Sequence, residues 1–377
     1  MTTTYPIEEE QPMTDTSTTE PTEPTEQAGT ADGTTGATGR PRTAPGGSER
    51  PLTDAYDTAL LDLDGVVYAG PGAIDHAVDA LAQARTGGMR LAYVTNNASR
   101  PPRVVAEHLT ELGVPADAED VINSAQAAAR LVAEKVPAGS RVLVIGGAGL
   151  VEALAERGLV AVRSLDEQPV AVVQGFDPSL GWKDLAEASY AVASGLPWIA
   201  SNTDLTVPTA RGIAPGNGSL VAAVRTATGA EPEVAGKPLP PMHRETVIRT
   251  GAKRPLVVGD RLDTDIEGAF NGGVDSLLVF TGVTTPALLL GAPPQHRPTY
   301  LAADLRGLLT GHPEVSGDGG AYTCGGWTAH AEDGVLHVDG TGDRYDGLRA
   351  LCAASWTAGD REGEVPDGRK ALAELGF

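Results

Sequence analysis

The apolar run at residues 58–61 ends in Asp62-Leu63-Asp64-Gly65, and few chain architectures tolerate that junction. Leu60, Leu61 and Leu63 read as a strand apolar on both faces, which belongs inside a parallel sheet covered by helices. Acid at the carboxyl end of such a strand stands where open α/β sheets place their ligands. Asp62 and Asp64 are two apart, so in extended geometry both carboxylates leave on the same side. Carboxylates held together repel, and ionising both is costly without a cation between them. The junction therefore predicts a magnesium site in which one aspartate also does chemistry. An ordinary Asp-Gly turn is the plainer reading of the same four residues.

Three further segments favour the first reading. A second strand at 90–94 runs into Thr95-Asn96-Asn97-Ala98-Ser99. Gly236-Lys237-Pro238 follows much later, and the apolar stretch Leu256-Val257-Val258 runs into Gly259-Asp260-Arg261-Leu262-Asp263-Thr264-Asp265. All four clusters can meet at one sheet edge, and each supplies a different need of phosphoryl transfer. A carboxylate can be the nucleophile. A hydroxyl and backbone N–H groups can hold phosphoryl oxygens, a lysine can offset their charge, and oxygen ligands can hold Mg²⁺. Asp62, Asp64, Asp260 and Asp265 contribute −4, Mg²⁺ +2 and Lys237 +1, leaving −1. With Asp64 protonated, as a general acid must be, the site is neutral and accepts a phosphate dianion.

At this point the chain resembles the haloacid dehalogenase superfamily of phosphohydrolases. Its four motifs occur in order as DLDGVVY (62–68), VTNNAS (94–99), Lys237 and GDRLDTD (259–265). The long interval between the second and third motifs resembles the class IIA branch, which inserts an α/β cap there. The resemblance runs from about Asp54 to His312. It implies a Mg²⁺-dependent phosphomonoester phosphatase working through an aspartyl phosphate, with Asp62 as nucleophile and Asp64 as acid/base. It further implies that Thr95 and Asn96 bind the phosphoryl group and that Lys237 steadies its charge. Asp260 would ligate Mg²⁺ with Asp62 and the backbone carbonyl of Asp64, with Asp265 supporting from behind; Asp263 falls between family positions and is expected at the surface or as a helix cap. An acid at Asp64 favours phosphate-ester cleavage, because an alkoxide leaving group needs a proton. Phosphomutases keep both aspartates and stay open. A phospho-accepting signalling module shares the sheet and the aspartate, but the cap-sized insertion and Asp64 argue against it.

Composition narrows the partners. A net charge of −22 argues against nucleic acid, whose phosphates require a basic face. No apolar stretch is long enough to span a bilayer. Only Cys324 and Cys352 occur, which fits a reducing cytoplasm. The seven histidines are scattered, so no multi-histidine metal centre can be read from their spacing, and His243 and the others read as surface or core groups. The expected partner is a small phosphorylated metabolite.

The fold expected is a doubly wound parallel-sheet, Rossmann-like α/β core with an inserted α/β cap and a small C-terminal α+β module. Residues 1–53, rich in Thr, Pro, Glu and Gly, read as a disordered tail; Glu8-Glu9-Glu10 does not fit a signal peptide. The core is expected at 54–136 and 232–312, the cap at 137–231 and the module at 313–377. Helices are expected at 73–86, 103–112 and 124–136, the last capped by Ser124. Trp182 and Trp198 read as packing residues. The loop 201–218, with Asn202, Asp204 and Arg211, lies over the active site in relatives with this cap and is expected to select the substrate. The C-terminal addition resembles that of actinobacterial glycerol-3-phosphate phosphatases, similar to part of an acetyltransferase-like fold. It has no Gly-x-Gly/Ala loop for acetyl-CoA, so a packing or homo-oligomer role is expected. By that resemblance, cap type and module together imply glycerol 3-phosphate as the first substrate, with phosphoglycolate, nucleoside monophosphates and pyridoxal phosphate as alternatives.

Overall fold

The computed structural model describes Gly39 and residues 41–377 except Ala210. Most of the expected disordered tail lies outside these residues, and its last part is corrected. Gly46 N donates to Thr299 O (2.7 Å), Ser48 bridges to His312, and Leu52 is fully buried. Most of these anchors are backbone hydrogen bonds, which leave no apolar pattern for a reading of composition to detect.

Strand β1 (Thr58–Leu61) is followed by a small hairpin, β2 (Tyr68–Ala69) and β3 (Gly72–Ala73), then by β4 (Arg90–Thr95) and β5 (Val121–Asn123). The inserted cap holds β6 (Arg141–Ile145), β7 (Val160–Val162), β8 (Ala171–Gln174), β9 (Trp198–Ala200), the hairpin β10 (Thr206–Thr209) and β11 (Gly212–Pro215), and β12 (Glu233–Val234). The core resumes with β13 (Pro255–Gly259), β14 (Asp275–Val279) and β15 (Tyr300–Ala302). The module carries β16 (Ser316–Gly317), β17 (Tyr322–Cys324), β18 (Trp327–Glu332) and β19 (Val335–Gly340).

Six parallel strands form the core sheet in the order β15-β14-β13-β1-β4-β5. The winding reverses between β1 and β13, and in open α/β sheets ligands bind at the carboxyl ends of the strands flanking that point. Asp62 leaves β1 there and Asp260 leaves β13. The cap is a second parallel sheet, β12-β9-β8-β6-β7. Because β12 pairs with β9, the cap sheet runs to Val234, past the expected 231.

Helix Ser124–Lys135 lies between the two sheets. Its Ala125, Ala127, Ala128 and Ala129 are buried and join Leu60, Ala92 and Ile122 of the core to Val142, Val144 and Val173 of the cap in one cluster. Its first turn and a half, residues 124–129, is buried on every side, which accounts for the run of alanines there. Asn123, not Ser124, caps it: Asn123 Oδ1 accepts from Gln126 N (3.0 Å), while Ser124 Oγ donates to Asn96 O (2.5 Å). Beneath it, the buried carboxylate of Glu245 accepts from Arg130, from Arg157 (2.9 Å) and from Arg249 (2.5 Å). Arg157 closes the first cap helix, Ala148–Glu156, so this ion cluster ties cap to core.

Other local expectations shift. The helix expected at 73–86 starts at Ala77, because Gly72–Ala73 pairs with Tyr68–Ala69. Trp198 is buried and donates Nε1 to Gln174 Oε1 (3.2 Å); Trp182, by contrast, is 76% exposed and packs little. The module is a four-stranded antiparallel sheet against helix Arg344–Glu362. That helix docks on the core: Trp356 Nε1 donates to Leu289 O (3.0 Å), and Arg297 makes a two-pronged pair with Asp360 (2.7 and 2.6 Å). Leu278, Leu289 and Leu301 of the core share one apolar cluster with Leu348, Leu351 and Trp356.

Candidate active site

Asp62 follows β1 with its N–H still in the ladder, donating to Val258 O (2.8 Å). Gly65 turns the chain at φ 85°, and a Cβ there would stand 2.7 Å from Asp260 Oδ2, so only glycine fits. Lys237 enters from the segment that returns from the cap. Its Nζ donates to Asp62 Oδ1 (2.7 Å), Asp265 Oδ1 (2.7 Å) and Val94 O (3.1 Å), bringing the end of β4 against the same carboxylates. Asp260 follows β13, and Asp265 sits in the single irregular turn Leu262–Ile266 that opens the next helix. Its other oxygen accepts from Arg261 N (3.2 Å), so Asp265 is fully engaged in holding the lysine and the loop. Asp263 pairs with Arg261 (3.0 and 2.8 Å) at the exposed side of that turn.

The carboxylates of Asp62, Asp260 and Asp265 lie within 4.8 Å of one another; the Asp64 side chain stands outside that trio. Asp260 is 1% exposed. Its Oδ2 accepts from Val283 N (2.7 Å) and its Oδ1 is buried with no hydrogen-bond partner among the described residues. A buried carboxylate oxygen without a donor is costly unless something positive meets it. This orphan, in an all-oxygen donor set, fits a hard divalent cation such as Mg²⁺.

Charge crowding shows in the titration of the group. Protein atoms desolvate Asp64 although its side chain still meets solvent. That desolvation, then the charges of Asp62 and Asp260, push its carboxyl up to about 6, against the pull of Lys237 and Arg100. Burial likewise pushes Asp260 up to about 6, with Asp62 adding to it and the Val283 N–H opposing. Burial works to discharge Lys237, but Asp265 and Asp62 outweigh it and hold the ammonium above its usual range.

The Asn96 side chain turns toward Lys237 and Asp204. Its Oδ1 accepts from Lys237 N (2.8 Å), and its Nδ2 faces Lys237 O (3.1 Å) and Asp204 (3.2 and 3.3 Å). The side chain is therefore spent on fastening protein to protein. Thr95 Oγ1 accepts from Asn97 N (3.1 Å), which leaves its hydroxyl proton free. Asn202 Nδ2 donates to Asn96 O (2.7 Å), so Asn202 and Asp204 reach the cleft as the notion of a covering loop requires. Arg211 does not. It is exposed on the turn of the β10–β11 hairpin, and its side chain takes no hydrogen bond among the described residues. The sequence reading missed the loop after β14: Thr281 Oγ1 donates to Gly65 O (2.6 Å), and a Cβ on Gly282 would meet Asp260 Oδ2 at 2.0 Å. Only its position after an apolar strand could have drawn notice.

Residues 59–160 match the haloacid dehalogenase-like hydrolase model, and residues 234–308 match the HAD-hydrolase-like model. A D-glycerol 3-phosphate phosphatase of Mycobacterium tuberculosis is 45% identical over 316 residues, covering 81% of this chain and 88% of that protein. The chain belongs to the haloacid dehalogenase-like hydrolases. An acid sugar phosphatase of Staphylococcus aureus is 38% identical over 232 residues, covering 61% of this chain and 88% of that one. Among solved structures, a glycerol phosphate phosphatase from Mycobacterium tuberculosis in complex with magnesium superposes with a TM-score of 0.76 at 44% identity. It covers 81% of this chain and 92% of that one. Residues 324–377 match the GCN5-related N-acetyltransferase like domain. As a haloacid dehalogenase-like hydrolase, the chain carries its family motifs on the β1, β4 and β13 ends and on Lys237. Its described helices include none long and apolar enough to cross a membrane.

Proposed function

We propose that this hydrolase cleaves small phosphate monoesters with Mg²⁺, and that glycerol 3-phosphate is its first substrate. The observation that carries the reading is the orphaned Asp260 oxygen beside Asp62 and Lys237. Asp62, Asp260 and the backbone carbonyl of Asp64 would hold the ion, which when bound neutralises phosphoryl charge and orients it for in-line attack. Asp62 Oδ attacks phosphorus, the ester P–O bond breaks, and its electron pair stays on the leaving oxygen. Asp64, raised to about 6, gives that oxygen a proton near neutral pH. It then takes a proton from water, which attacks the aspartyl phosphate and releases inorganic phosphate with Asp62 regenerated. Lys237 offsets the phosphoryl charge, Thr95 offers its hydroxyl, and Asp265 keeps the lysine in place.

The choice of glycerol 3-phosphate is supported by the 45% identity with the mycobacterial enzyme, which extends over most of the chain. Asn202 and Asp204 hold the cap against Asn96 at the edge of the cleft. Two buried free thiols suit a reducing cytoplasm. The module's apolar seam with the core supports packing as its role over an oligomer contact. Phosphate release from a panel of phosphometabolites, with and without Mg²⁺, tests the reading. Glycerol 3-phosphate should lead the panel. Undiminished turnover after exhaustive chelation would overturn the metal assignment, and a different leading ester the substrate.

A further inference from the structure

The scattered histidines of the sequence do not stay scattered. Asp333-Gly334 forms a two-residue turn with both residues at positive φ (50° and 74°), the backbone that tight hairpins require. That turn pins the β18–β19 register and sets His330 directly opposite His337, with Glu332 opposite Val335. Side chains alternate across a strand. Ala329, Leu336 and Val338 turn inward and are buried, while His330, Glu332 and His337 share the outer face. The two imidazoles stack with centroids 5.0 Å apart and planes 17° from parallel. Ligand atoms of His330, Glu332 and His337 all lie within 4.8 Å of one another.

We infer that this outer face is a second metal site, taking a borderline divalent ion of the Zn²⁺, Ni²⁺ or Cu²⁺ class. Two imidazoles and one carboxylate are the donors such ions prefer, whereas hard Mg²⁺ favours oxygen alone. Two nitrogens held by one zinc ion at about 2.0–2.1 Å each stand at most about 4.2 Å apart, a range close to the 4.8 Å within which these ligand atoms already lie. All three are partly solvent-exposed, with side-chain exposures of 36% for His330 and 71% for Glu332, so small rotations suffice. The rigid hairpin supplies the preorganisation. Three protein donors leave at least one coordination position for water or an outside ligand. Two centres on one chain thus sort their metals by donor hardness, oxygen in the cleft and nitrogen on the module.

Cu²⁺ is the probe that separates them, because nitrogen superhyperfine lines in its electron paramagnetic resonance spectrum report imidazole and not carboxylate. The experiment uses full-length, tag-free protein saturated with Mg²⁺. One equivalent of Cu²⁺ should give a two-nitrogen pattern, and the same pattern should appear when Cu²⁺ is added to protein first loaded with Zn²⁺, since nitrogen donors bind Cu²⁺ more tightly than Zn²⁺. His330→Gln and His337→Gln should each reduce the pattern to one nitrogen and weaken binding about tenfold or more, since even outer partners of metal ligands cost 10–100-fold. Glu332→Gln should weaken binding while keeping both nitrogens. Phosphatase turnover should be unchanged in all three variants. An oxygen-only spectrum, or a two-nitrogen pattern surviving in either histidine variant, would overturn the site.

Discussion

Asp260→Asn should make the metal-free protein more stable while destroying its catalytic competence. Asp260 is raised from 3.8 to about 6 in the folded chain. That difference, at about 1.36 kcal/mol per unit, makes its ionisation cost about 3 kcal/mol of stability above pH 6. An asparagine keeps the acceptor for Val283 N and turns an amide donor toward the neighbouring carboxylates. The net gain should therefore be about 2–3 kcal/mol in EDTA at pH 7.5, or about 3–4 °C in melting temperature for a protein of this size. The sign follows from the raised folded-state pKa. Stability from this group is complete below the unfolded value and is lost as pH climbs through about 6. The gap between variant and wild type should then narrow as pH falls from 7.5 to 5. Saturating Mg²⁺ should reverse the order, because an ion that binds only the folded wild type adds RT ln(1 + [Mg²⁺]/Kd), about 4.1 kcal/mol at a thousandfold excess over Kd. Calorimetry in EDTA and in Mg²⁺, at both pH values, measures all of this. A variant less stable than wild type in EDTA at pH 7.5, or a gap that does not change with pH, would refute the reasoning.

Asp62→Asn should abolish phosphate release while far-UV circular dichroism stays native; retention of more than about a tenth of wild-type kcat would remove it as nucleophile. Glu245→Gln should cost about 3–5 kcal/mol in urea denaturation, since Arg130, Arg157 and Arg249 lose the buried charge they share; a cost under about 1 kcal/mol would show the cluster to be idle. Asp204→Ala should lower kcat/KM about tenfold, on the scale of one hydrogen bond to a charged group, and equally for glycerol 3-phosphate and p-nitrophenyl phosphate. A loss confined to the natural ester would instead make Asp204 a contact of the leaving group.

What the sequence disclosed was whatever depends on spacing along one strand. Asp62, Asp64 and Asp260 were readable because each follows an apolar run, and the sheet order then brings β1 and β13 together at the reversal of winding. What depends on a partner far along the chain was not readable. Nothing local separates an Asn96 that binds phosphate from one that fastens Lys237, 141 residues away. The β10–β11 hairpin escaped notice because its strands, TVPT and GIAP, lack apolar alternation and each contain a proline. Residues 41–53 were assigned to the tail on composition, yet they are held largely through backbone. His330 and His337 are seven apart, and only the Asp333-Gly334 turn makes them neighbours.

One amide, that of Asn96, grips three stretches of chain at once: the end of a core strand, the backbone at Lys237 and the cap at Asp204. A cap grafted from a relative would arrive without purchase on Asn96 and Lys237 unless it brought equivalents of Asn202 and Asp204. The lid and the chemistry beneath it are therefore inherited together. Sequence is free to drift only beyond that grip, on the exposed hairpin around Arg211, where residues can change without disturbing the charges below.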